Sequence, residues 1–275
     1  MTARRAARFG MTARRAAWVG VVAALLCATL LRTAGAASAC EARARPIALS
    51  YHPSTSESRL RFEGYEATAT RAAASYVRVV VCQAEGGTPR LDAAERKDGI
   101  INGASGVIVD ASGLIVTAAH IALDPRHDAV VVTLDGQARK ARILRVDRSR
   151  ELALVKIAPF AGMAVAELAD SDALQAADAV LAIGTPDNKG GVVSLGRVLV
   201  PKLEGRLEYN GFGFADAVKL RIDVEPGNSG GPVFDARGRL IGIVGAFGLP
   251  EPGETVSRLG FAVPSNAIRA YLGAR

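Results

Sequence analysis

Three stretches of the sequence carry side chains whose types and order suit acyl transfer. In EPGNSGGPVFD (225–235) the glycines Gly227, Gly230 and Gly231 surround Ser229. Glycine permits conformations and close approaches that side chains forbid. Such a turn lifts a serine hydroxyl and aims backbone N–H groups at one point, which is what an oxyanion hole requires. In LIVTAAHIA (114–122) His120 follows an apolar run and two alanines. The other two histidines, His52 and His127, sit in a polar extension and a polar loop, so His120 is the one placed to serve a nucleophilic serine as base. Alone, it would read as an ordinary structural histidine. In DRSRELALVKI (147–157) Glu151 opens an apolar run from Leu152 to Val155, and a carboxylate buried there needs a partner. A histidine base needs a carboxylate to fix its tautomer. Glu151 lies between the other two, giving the order His, acid, Ser.

These residues must be held by short strands. From Tyr76 onward β-branched runs such as YVRVVV (76–81), SGVIVD (105–110), LIVTAA (114–119), AVVVTL (129–134), VVSLGRVLV (192–200) and LIGIVGAF (240–247) alternate with Gly, Asp, Asn and Pro signals. That spacing predicts an all-β barrel or sandwich with little room for crossover helices. PSNAIRAYL (264–272) reads as a closing helix, with Ser265 as its N-cap and Ala267, Ile268, Tyr271 and Leu272 on one face. Residues 41–65 read as a tether, and the Ala-rich stretch 66–74 as a short helix.

A net charge of +7 on 275 residues would point to nucleic acid or anionic lipid. Residues 1–39, however, hold Arg4, Arg5, Arg8, Arg14, Arg15 and Arg32 and no acid. Without these six of the 34 basic residues, 28 remain against 27 acidic, so the body is nearly neutral. No basic and aromatic residues interleave, which removes the nucleic-acid reading. The Arg-rich start, the apolar stretch 16–31 and Ala37-Ser38-Ala39 form an export signal of the Sec type, with translation starting at Met1 or at the repeated MTARRAA beginning at Met11. Export leaves Cys40 and Cys82, which either form one disulfide, or leave Cys40 as a lipid-bearing first residue and the chain's only route to a membrane. No metal site or cofactor is indicated, and the sequence gives no oligomeric state.

SGVIVDASGLIVTAAH (105–120), DSDALQAADAVLAIGTP (170–186), GNSGGPVFDARGRLIGIV (227–244) and LGFAVPSNAI (259–268) resemble, in this order, the trypsin-like serine proteases of the HtrA/Deg-type branch. The likeness runs from about Tyr76 to the C-terminus. It implies two antiparallel six-stranded Greek-key barrels with the cleft between them and a short C-terminal helix. The expected organisation is a signal peptide (1–39), an extension (40–74) and a protease domain (75–275), the last divided into barrel one (about 75–160), barrel two (about 161–263) and a helix (264–273), with no PDZ domain. Ser229 is the implied nucleophile, His120 the base and acid, and the N–H groups of Gly227 and Ser229 the oxyanion hole. Residues 243–247, with Val244 and Gly245 at their centre, would pair with an extended substrate backbone.

Three positions depart from the wider pattern. Glu151 stands where the family has Asp, while Asp147, four residues earlier, falls where members also tend to carry one. Asn228 replaces the acid of pancreatic-type enzymes, which implies a site assembled without propeptide cleavage. Asp223, six residues before Ser229, matches the acid that selects basic side chains in trypsin-type enzymes. The function expected is a secreted or periplasmic serine endopeptidase acting on proteins or peptides without cofactor. The alternative is a weak or inactive barrel that binds peptides in the same cleft.

Overall fold

Most of the predicted runs become strands in the computed structural model, which describes residues 47–52, 64–82, 100–186, 190–248 and 259–274. The leader and Cys40 lie outside the described residues. The first element is β1 (Leu49–His52), followed by helix α1 (Glu66–Ala73). Barrel one comprises β2 (Tyr76–Cys82), β3 (Ile100–Asp110), β4 (Leu114–Thr117), β5 (Asp128–Thr133), β6 (Ala138–Asp147) and β7 (Leu152–Lys156), with the single helical turn α2 (Ala119–Ala122) following β4. Its strands close in the order β2-β3-β4-β7-β6-β5, every pair antiparallel. Closure leaves no strand edge with unpaired N–H and C=O groups. All seven residues of β2 are buried, because its two faces meet the barrel interior and the rest of the molecule.

Barrel two comprises β8 (Ala179–Gly184), β9 (Gly191–Val200), β12 (Val218–Arg221), β13 (Pro232–Asp235), β14 (Leu240–Gly248) and β15 (Leu259–Pro264). These run in the order β9-β12-β15-β14-β13-β8, and β8 pairs back onto β9 to close a second antiparallel barrel. Between β9 and β12 stands a separate hairpin, β10 (Arg206–Tyr209) and β11 (Phe212–Ala215). The expected fold, two six-stranded antiparallel barrels and a C-terminal helix, is the observed one.

Two local readings change. The segment expected to be a tether contributes β1, which adds in parallel to β9 with Leu49 opposite Gly191 and Tyr51 opposite Val193. Its polarity hid the strand because an edge strand needs only backbone pairing. The C-terminal helix α3 (Ser265–Gly273) has Pro264 at its N-cap position and no side-chain cap, so Ser265 is its first residue and not its cap. The Ser265 hydroxyl instead donates to the Ala169 carbonyl at 2.9 Å and is fully buried, so it docks the helix rather than capping it. Arg145 of β6 lies over the Tyr271 ring at 3.8 Å and donates to the Tyr271 and Ala274 carbonyls, satisfying the helix end from barrel one. Among the described residues no helix is long and apolar enough to cross a membrane.

Candidate active site

Strand β4 ends at Thr117, and α2 turns His120 out of the barrel with buried Ala118 and Ala119 beneath it. The β6–β7 turn brings Glu151 to the same point. The Glu151 carboxylate is fully buried, and its Oε1 contacts His120 Nδ1 and accepts the His120 backbone N–H at 3.4 Å. The Ala119 N–H donates to the Glu151 carbonyl at 3.3 Å, so side chain and backbone of Glu151 both grip the turn that carries His120. A carboxylate only accepts, so Nδ1 carries the proton and Nε2 is left as the acceptor. That is the tautomer a general base needs.

Glu151 holds φ at 55°, in the left-handed region that costs most residues about 1 kcal/mol or more. The conformation swings the carboxylate inward under His120. Asp147, the other acid of the turn, faces away: it accepts from the Ser149 N–H and hydroxyl and the Arg150 N–H, and pairs with Arg150 at 3.4 Å. It caps the turn and leaves the imidazole to Glu151.

The serine turn is wedged between the barrels. Gly227 (φ 104°) and Gly230 (φ 76°) take left-handed conformations. A Cβ on Gly230 would overlap Thr117 Oγ1 and the Ser105 carbonyl and lie 2.9 Å from Ala118 N, which shows how closely the turn carrying Ser229 abuts the strand end that carries His120. The Asn228 and Gly231 N–H groups close the turn onto the Glu225 and Asn228 carbonyls, and Gly230 N–H donates to Val244 O at 2.7 Å. Among the described residues the Gly227 and Ser229 N–H groups donate to no backbone carbonyl. These are the two groups expected to meet an oxyanion.

Ser105, which the sequence presents only as the start of a strand, fastens this turn. Its N–H donates to the Ser229 carbonyl at 3.0 Å, its hydroxyl to the Gly227 carbonyl at 2.8 Å, and it accepts the Thr185 N–H at 3.1 Å. Its own carbonyl accepts from Thr117 Oγ1 at 2.7 Å. The Tyr76 hydroxyl contacts both Ser105 and Thr185, and burial holds that phenol above its ordinary pKa, hence protonated. The serine turn is thus held by neutral hydrogen bonds across the barrel interface. Ser105→Ala strands buried groups at a cost of about 1–3 kcal/mol. The expected result is a Tm lower by roughly 5 °C in calorimetry.

Val244 has both backbone groups taken by Gly230 and Gly231. The β14–β15 register slips between Val244 and Ala246, so Gly245 bulges out of the ladder. The Gly245 carbonyl accepts the Tyr209 hydroxyl at 2.6 Å. Asp223 is half-buried on the loop after β12. Cys82, at the end of β2, is disulfide-bonded. Among the described residues no group of three or more His, Cys, Asp or Glu could hold a metal ion.

The sequence reading missed the β10–β11 hairpin and its Tyr209. The signal was present: Asn210-Gly211 (φ 48° and 78°) between LEY and FGF is the two-residue type I′ turn of a tight hairpin. Tyr209 and Phe212 lie edge-on to the His120 ring, with centroids 6.0 and 6.1 Å away.

Residues 104–243 match the family described as a trypsin-like peptidase domain. The magnetosome formation protease MamE of Paramagnetospirillum magneticum is 36% identical over 132 residues, which cover 48% of this chain and 18% of that protein. The periplasmic serine endoprotease DegP of Escherichia coli K12 is 34% identical over 135 residues, 49% of this chain and 27% of DegP. This chain therefore spans less than a third of the length of these relatives. A solved structure of a variant of the HtrA-type protease AlgW with a tripeptide superposes with a TM-score of 0.61 at 24% identity, over 76% of this chain and 62% of that one, and so shares the fold.

Proposed function

Since the chain belongs to the trypsin-like peptidase domain family, we propose that it is an exported serine endopeptidase that cleaves proteins or peptides in the periplasm or outside the cell. The observation that carries the proposal is the buried Glu151 carboxylate seated on His120 Nδ1, at a strand end against which the Ser229 turn is wedged. His120 Nε2 takes the Ser229 Oγ proton as that oxygen attacks the scissile carbonyl. The Gly227 and Ser229 N–H groups hold the tetrahedral oxyanion. The imidazolium then protonates the leaving amine, and water, activated by the same nitrogen, releases the acyl group from Ser229.

The substrate backbone would add as a strand along the edge of β14 beyond Val244. Export is supported by the Arg-rich leader and by the periplasmic DegP relatives. The test is digestion of fluorescein-labelled casein by the purified mature chain beside Ser229→Ala. Peptide release by the first and none by the second is expected. Equal release by both, or by neither, overturns the proposal; binding of casein without release would leave a peptide-binding barrel.

A further inference from the structure

The Tyr209 phenol has one proton and touches two parts of the site. Its hydroxyl donates to the Gly245 carbonyl at 2.6 Å, and its oxygen lies 3.4 Å from His120 Nδ1. Beside it, Glu151 Oε2 is buried and without a hydrogen-bond partner among the described residues. The hairpin that carries Tyr209 is fastened to the very turn that carries Glu151: the Gly213 N–H donates to the Arg148 carbonyl at 2.9 Å and Arg206 to the Ser149 carbonyl at 2.8 Å. Arg148 also lies over the Phe212 ring at 4.9 Å. These contacts hold the phenol against the pair.

Resting on the endopeptidase reading, we infer that Tyr209 is a positioning residue whose hydroxyl proton moves from the Gly245 carbonyl to the Glu151 carboxylate when a substrate strand occupies the cleft. The Gly245 carbonyl sits where a substrate N–H would pair. Where that N–H displaces the phenol from the carbonyl, the neighbouring Glu151 carboxylate, close enough for its charge to act on the phenol, offers the buried and unpaired Oε2. No bond is made or broken beyond the exchange of hydrogen-bond acceptors. Burial, the nearby Glu151 charge and the phenol's own hydrogen-bonding contact with that carboxylate hold it well above its ordinary pKa, so it stays a donor throughout.

Occupancy of the cleft thereby fixes the carboxylate that holds His120, while the free enzyme keeps a competitor on its own substrate-pairing carbonyl. Removing the hydroxyl alone separates the two effects. Tyr209→Phe is expected to lower kcat on fluorescein-labelled casein about tenfold with no rise in KM. A kcat within twofold of the parent, or a fall in kcat matched by a rise in KM, overturns the inference. A second readout needs no turnover. In the Ser229→Ala chain the downfield His120 Nδ1–H proton resonance should move when a casein digest is added, and should stay put in Ser229→Ala with Tyr209→Phe. Movement in both chains, or in neither, overturns the inference, whereas casein release unaffected by Ser229→Ala would instead sink the endopeptidase reading.

Discussion

Glu151→Gln is expected to lower kcat by about 10⁴-fold with little change in KM, the loss that follows when the orienting acid of a serine protease becomes an amide. The buried carboxylate accepts from His120 Nδ1 and from the His120 N–H. An amide in its place presents an NH₂ group to Nδ1, shifts the ring proton to Nε2 and removes the acceptor that the proposed mechanism uses for the serine proton. Single-turnover kinetics separate this chemical step from binding.

Glu151→Asp is the finer test of the same site. Aspartate tolerates the left-handed backbone better than glutamate, and Glu151 sits at φ 55°. It is also one methylene shorter, and a misplacement near 1 Å costs about 100-fold. Because Oε1 already reaches His120 Nδ1, reach should dominate strain, and activity should fall by roughly 10- to 100-fold. A gain in activity would show that backbone strain at Glu151 limits the parent chain.

Gly230→Ala is expected to be the most damaging single change to the fold of the site. The added methyl would overlap Thr117 Oγ1 and the Ser105 carbonyl at φ +76°. The backbone cannot retreat, because Gly230 N–H is bonded to Val244 O and the preceding carbonyl accepts from Ser105. Strain and overlap together cost about 3 kcal/mol or more, a Tm lower by roughly 10 °C. Gly162→Ala is the control: φ is +79° there too, but nothing lies within 4 Å of the new methyl. It should cost only about 1 kcal/mol of backbone strain. Comparable losses from both would mean that the Gly230 contacts contribute nothing.

The residues of the candidate site were legible where the signal is local in sequence. The glycines around Ser229, the apolar run ending at His120 and the carboxylate opening a buried strand each announce themselves within about ten residues. Joining His120 to Glu151 required only that strands close a barrel, and β4 pairs with β7. What was hidden depends on distant partners. Ser105 bonds the Gly227 carbonyl 122 residues away, and no pattern around SGVIVD hints at it. Tyr209 belonged to a hairpin with a plain Asn-Gly turn, yet its proximity to His120 follows from how the hairpin folds back onto the β6–β7 turn. In β1, the parallel partner β9 decides the strand, while the local sequence reads only as polar extension.

The central claim is that Ser229 is a nucleophile activated by His120 and Glu151. The most direct measurement treats the mature chain with a fluorophosphonate, followed by intact mass and a peptide map. A single adduct on Ser229, absent in Ser229→Ala and strongly slowed in Glu151→Gln, is the predicted result. No adduct on the parent chain, or one that persists in Ser229→Ala, would contradict it.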